Sequence, residues 1–167
     1  TNNAPLRSGK GYAYEGGIRV PLLIKWPGVV KPGTTSAEPV TSVDYFPTIA
    51  EVTGLDLPKN RDIDGLSLAK HLSSQGKQKL GRDAIYWHFP HYRHNPGPYS
   101  IIREGDWKLI KFYEGPMELF DLNKDIGETK NLAAAMPGKV KELESRLLAH
   151  LKSVGAKMPK LNPAAKN

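Results

Sequence analysis

The spacing of apolar positions changes character several times along the chain. From Ile18 to Trp26, "IRVPLLIKW" is nearly continuous in apolar residues, the pattern of a strand buried on both faces of a parallel sheet, with Pro21 marking an edge or bulge. A loop rich in proline and glycine follows. In "TSVDYFPTIAEVTGLDLP" the period turns helical: Val43, Phe46, Ile49 and Ala50 share a face, Ser42 is a candidate N-cap, and Gly54 and Pro58 are stop signals. Pro47 lies near the first turn, where a missing N–H costs little. A turn at Asp64 and Gly65 leads to Leu66, Leu68, Ala69 and Leu72, a second short helix, and "SSQGKQKLG" reads as a connector.

Beyond the connector the pattern alternates. "DAIYWHFP" predicts one strand, "YSIIREGDWKLIKFY" two strands around a tight turn at Glu104 and Gly105, and "MELFDL" a fourth short one. Within this pattern Trp107 faces the core and Lys108 points outward. Val140, Leu143, Leu147 and Leu151 then fall on one face of a terminal helix, flanked by a Glu142 and Arg146 pair. The second half is thus an α+β unit, a small antiparallel sheet covered on one face by a helix. The chain shows no internal repeat.

Composition narrows the chemistry. With 167 residues, 39% hydrophobic and 25% charged, the chain holds one ordinary core or two small ones. It has no cysteine, so disulfides, thiolate metal sites and a cysteine nucleophile are excluded within it. No apolar run reaches the roughly 18 residues of a membrane span, and a signal-peptide pattern is missing from a start that reads as internal. The net charge of +7 points to an anionic partner. By itself that charge does not choose among nucleic acid, acidic glycan and a membrane surface, but the lysines are spread out and aromatics sparse, which argues against nucleic acid, and no membrane partner is expected.

The candidate chemistry begins at Lys10. Set between Gly9 and Gly11, its ammonium can approach an anion closely, although Ser-Gly-Lys-Gly is equally an ordinary solvated turn. Further on, His88, His91 and His94 recur at intervals of three in "HFPHYRHNPGPY". Pro90 and Pro96 forbid a helical face and no carboxylate lies nearby in sequence, so a metal site is the weaker reading. His88 in a packed strand and a solvated His94 remain open beside any functional role.

Four blocks, "PLRSGKGYAYEGGIRVPLLIKWPG", "EPVTSVDYFPTIAEVTGL", "DIDGLSLAKHL" and "REGDWKLIKFYEGPMELFDLNKDIGETKNLA", together resemble the C-terminal part of a type I, formylglycine-dependent sulfatase of the alkaline phosphatase superfamily. The resemblance implies that residues 1–80 are the tail of the large alkaline-phosphatase-like α/β domain. Residues 81–167 then form a small C-terminal subdomain with a four-stranded antiparallel sheet and a long helix. It matches Lys10 to the lysine that contacts the sulfate group, a fixed cation that offsets charge as the ester oxygen departs. It brings the loop of His88, His91 and Tyr92 near the substrate as sugar contacts, and it makes Glu15, Gly16, Gly17 and Arg19 scaffold, with a catalytic carboxylate role for Glu15 the lesser alternative.

Sulfatases attack sulfur with a formylglycine made from C/S-x-P-S-R and hold calcium with aspartates and an Asp-Asn pair. No Pro-Ser or Asp-Asn dipeptide occurs here. The nucleophile and the calcium ligands are therefore expected upstream, in a catalytic domain of the same protein, and this chain alone is expected to be inactive. The implied partner is a sulfated small molecule or glycan, and the implied compartment the periplasm or outside the cell. Two alternatives stand: a basic module that binds anionic glycan without catalysis, and a phosphodiester or phosphonate hydrolase of the same superfamily. If the strand from Ile18 to Lys25 belongs in a large sheet, residues 1–40 are expected to be weakly ordered, to self-associate or to swap.

Overall fold

In a computed structural model, residues 2–93 and 97–160 are described. They form two compact units: Thr1–Pro21 with Asp83–Asn167, and Leu22–Arg82. The N-terminal residues thus join the sheet-bearing unit, and the second cut falls near the connector.

The first unit is built on four antiparallel strands in the order β1 (Ile85–Phe89), β2 (Tyr99–Glu104), β3 (Trp107–Phe112) and β4 (Glu118–Asp121). The register pairs Trp87 with Ile101, Ile101 with Ile110, and Leu109 with Leu119. Gly105, with φ of 56°, makes the left-handed turn between β2 and β3 that a side chain would strain. Both faces of the sheet are covered. On one, Ile102, Leu109 and Leu119 pack against Leu143, Leu147 and Leu151 of the terminal helix (Pro137–Ser153), with Trp107 and Val140 at its margin. On the other, Ile101, Ile110, Phe112 and Phe120 pack against Ala13, Tyr14, Ile18 and Leu122.

This second cover corrects the expectation for Lys108. Alternation does turn Trp107 and Lys108 to opposite faces, but the N-terminal segment closes the face that would otherwise be solvent, and Lys108 is fully buried. The flank of the helix differs as well: Glu142 pairs with Lys139 at 2.8 Å, and Arg146 reaches back to Glu104 on β2.

The strand predicted over residues 18–26 is not formed. Glu15–Ile18 is one helical turn, α1, and the residues after it run without regular structure, leaving Val20, Leu22, Leu23 and Ile24 exposed. A continuous apolar run becomes a strand only with neighbours to share its ladder, and no described segment supplies one.

In the second unit, a 3-10 turn (Ser42–Asp44) leads into α2 (Tyr45–Thr53), and α3 (Ala69–Ser73) follows. Thr41 rather than Ser42 is the cap, in a reciprocal box with Asp44, and Gly54 ends α2 at φ of 72°. Pro47 and Ala50 are buried, whereas Val43, Phe46 and Ile49 of the predicted apolar face are exposed. Polar bonds hold this unit: the buried Asp44 carboxylate accepts from the backbone of Thr41 (2.8 Å) and Leu66 (2.9 Å) and pairs with Arg82. Among the described residues no helix is long and apolar enough to cross a membrane.

Candidate functional site

Lys10 sits in a tight loop whose backbone is fixed from several sides. The Tyr12 N–H donates to the Gly9 carbonyl at 3.1 Å, and the Gly16 N–H to the Arg7 carbonyl at 2.9 Å. Asn3 Nδ2 donates to the Gly16 carbonyl at 2.9 Å. Gly11 takes φ of 98°, a conformation that favours glycine. Gly16 and Gly17 serve close approach instead: a Cβ would stand 2.4 Å from the Arg7 carbonyl oxygen at Gly16 and 2.1 Å from that of Tyr12 at Gly17. The two glycines let the loop fold back on itself.

Within this loop the Lys10 side chain is exposed, and it makes no hydrogen bond or ion pair with the described residues. Lys10 is thus an exposed cation on constrained backbone, with no counter-charge beside it among the described residues.

Beneath the loop lies a buried charge cluster. Lys108 Nζ donates to Glu15 Oε1 at 3.0 Å and to Glu128 Oε1 at 2.7 Å, and all three side chains are shielded from solvent. Glu128 Oε2 accepts the Glu15 N–H at 2.6 Å, and the Glu128 carbonyl accepts from Arg7 at 3.0 Å. Burial pushes the Glu128 carboxyl above its ordinary value against the opposing pull of Lys108. The Arg7 guanidinium also stacks over the Tyr14 ring at 3.7 Å. Burial, and then the nearby Glu118, push the Tyr14 phenol up to about 12, so it stays protonated at physiological pH. Glu15 is thus a buried structural anchor, with Arg19 at 3.7 Å and Arg103 at 3.8 Å from its Oε2. The sequence reading turned Lys108 outward and gave Glu128 no part. The signal that could have found Lys108 is a lysine alternating with buried apolar positions in "WKLIKF".

The other candidate residues bond elsewhere. His88 is on β1, directly opposite Ser100 of β2. Its Nδ1 bonds Ser100 Oγ at 2.7 Å and its Nε2 the Lys157 carbonyl at 2.9 Å, so both ring nitrogens are engaged. His91 is exposed, with its ring 5.3 Å edge-on to Phe89. Tyr92 is 70% exposed and donates its hydroxyl to Glu114. No hydrogen bond, ion pair or ring contact joins Lys10 to His88, His91 or Tyr92 among the described residues. His94 lies outside the described residues. Among the described residues no cluster of histidines and carboxylates is arranged to hold a metal ion.

Comparison with known proteins agrees with this architecture. The family model described as N-sulphoglucosamine sulphohydrolase, C-terminal, matches residues 8–157, and the chain belongs to that family. A sulfatase of Formosa agariphila is 40% identical over 149 residues, covering 83% of this chain and 27% of the relative. Human arylsulfatase A is 34% identical over 160 residues, covering 83% of this chain and 31% of the relative. A solved structure of BT4656 in complex with its substrate D-glucosamine-2-N,6-O-disulfate superposes with a TM-score of 0.66 at 32% identity, over 81% of this chain and 28% of the other. The chain therefore spans about a quarter to a third of the length of these relatives. The four-stranded antiparallel sheet with its terminal helix is the C-terminal sulfatase fold that the sequence blocks implied.

Proposed function

We propose that this chain is the C-terminal portion of a sulfatase that hydrolyses sulfate monoesters on sulfated carbohydrate, with Lys10 as its contribution to the active site. The observation that carries the reading is an exposed lysine, without a counter-charge among the described residues, on a loop folded tightly at close-packed glycines, within a chain matched almost throughout to the sulfatase C-terminal family. An ammonium beside the sulfuryl oxygens binds the ground state and strengthens its hold as charge moves to the departing ester oxygen.

The nucleophile and calcium ligands have no counterpart motif here, so residues outside this chain would supply the formylglycine and hold the ion. Calcium would supply charge stabilisation at the sulfate, and Lys10 would complete the cationic shell. The chain alone would then be inactive, and residues 1–80 would form the tail of the large catalytic domain. His91 and Tyr92, exposed beside the entry to β2, are the side chains best presented to a sugar. His88, with its ring nitrogens engaged by Ser100 and the Lys157 carbonyl, is the weaker sugar contact. The substrate class rests on the relative solved with a sulfated glucosamine.

The test is hydrolysis by the reading frame that contains this chain. Supplied with calcium, it should cleave 4-nitrophenyl sulfate and release sulfate from sulfated glucosamine, and should cleave the corresponding phosphonate ester more slowly. Preference for the phosphonate would favour phosphonate hydrolysis. Glycan binding without turnover of any ester would favour a non-catalytic module.

A further inference from the structure

Lys108 and Glu128 are buried ionic groups with no direct access to a ligand, and ionic groups are costly to bury. Glu15, Lys108 and Glu128 together carry one net negative charge out of water, and Glu15 Oε2 has no hydrogen-bond partner among the described residues. Arg19 at 3.7 Å and Arg103 at 3.8 Å stand near that oxygen. Well-packed apolar side chains of similar volume commonly match or exceed such a cluster in stability, so stability is a weak explanation for it.

Its geometry suggests another one. Every member of the cluster ties the Lys10 loop to the sheet or to the segment after β4. Lys108 reaches from β3 to Glu15, Glu128 takes the backbone N–H of Glu15, and Arg7, at the near end of the loop, donates to the carbonyl of Glu128. Glu128 itself holds φ of 52°, an uncommon conformation for a non-glycine residue and one kept where surroundings impose it. The loop is thus gripped at Arg7 and at Glu15, on either side of Lys10, by one residue 113 positions from Glu15.

We propose that Lys108 and Glu128 are positioning residues for sulfate ester hydrolysis: the Glu15, Lys108 and Glu128 cluster fixes both ends of the loop that presents Lys10 and so sets where its ammonium meets the sulfuryl group. This rests on the sulfatase reading of Lys10. Neither residue touches substrate. Their effect reaches the reaction through Lys10, so removing Lys10 should abolish it.

A double-mutant cycle on the full reading frame, with 4-nitrophenyl sulfate and calcium, separates the two ideas. Lys10→Ala should lower kcat about 10²-fold or more, the scale of a lost charge-stabilising donor. Lys108→Met and Glu128→Ala should each lower kcat about 10-fold with Lys10 present and leave it unchanged in the Lys10→Ala background, the sign of action through a shared contact. Glu128→Gln keeps an oxygen for the Glu15 N–H and should recover part of the loss. It carries the same cycle if Glu128→Ala does not fold.

Hydrogen exchange on the same proteins gives a readout independent of turnover. Residues 8–17 should open faster in the Lys108 and Glu128 variants while the terminal helix keeps its protection. If Lys10→Ala retains full kcat, the reading of Lys10 fails, and the positioning claim with it. If Lys10→Ala is impaired but the Lys108 and Glu128 variants keep full kcat, lose it equally in both backgrounds, or leave exchange in residues 8–17 unchanged, the positioning claim fails and the sulfatase reading stands.

Discussion

Lys108 is the residue at which local pattern and tertiary structure part company. Its alternation with Leu109 was legible, but whether its face met water depended on a segment some ninety positions earlier, Ala13 to Ile18, folding across the sheet. No strand pattern contains that information. Removing the lysine leaves two buried carboxylates facing one another, so Lys108→Ala should cost about 3–5 kcal/mol in urea unfolding, the range for breaking a buried pair from one side. A loss within about 0.5 kcal/mol, the range of ordinary surface substitutions, would mean that the cluster is solvated in solution.

Asp44 offers a second test at this scale. Burial alone would raise its carboxyl, but Arg82 and the N–H groups of Thr41 and Leu66 outweigh it and hold the carboxyl below its ordinary value of 3.8. A group lowered in the folded state stabilises fully above its unfolded value and loses that contribution as pH falls through the folded one. Wild type should therefore exceed Asp44→Asn in stability at neutral pH, and melts taken from pH 5 downward should show the gap closing. A gap that holds constant into strong acid would contradict this.

At the scale of elements, the parts that close on themselves were legible and the parts that need partners were not. The hairpin of β2 and β3 is specified by alternation plus Gly105, and the terminal helix by Leu143, Leu147 and Leu151 at helical spacing. "IRVPLLIKW" carries an equally strong apolar signal, yet no described segment gives it a ladder to join, and α2 likewise leaves Phe46 and Ile49 exposed. Such surface invites association. The isolated chain should associate in a concentration-dependent way by sedimentation velocity, and Leu23→Lys with Phe46→Glu should reduce it. Ideal monomer behaviour of the unsubstituted chain at high concentration would show that these side chains find cover within it.

At the scale of the whole molecule, order along the chain mattered more than any single motif. Gly-Lys-Gly alone describes a solvated turn, whereas the same lysine followed by Glu15, Gly16 and Gly17 and then by three further spaced blocks marks a sulfatase C-terminal portion. The constrained Lys10 loop was legible only in part: the glycines could be read, but Glu128, which grips Arg7 and Glu15, is brought to it by the fold. The basic charge of +7 suits a sulfated substrate without selecting one.

The central claim is that Lys10 meets the sulfate. The most direct measurement is the kcat of the full reading frame, with calcium, on 4-nitrophenyl sulfate before and after Lys10→Ala, alongside its thermal melt. A fall of about 10²-fold or more at an unchanged melting temperature is the predicted result. An unchanged kcat would contradict the account, and would make Lys10 the solvated turn residue that its four-residue motif also describes.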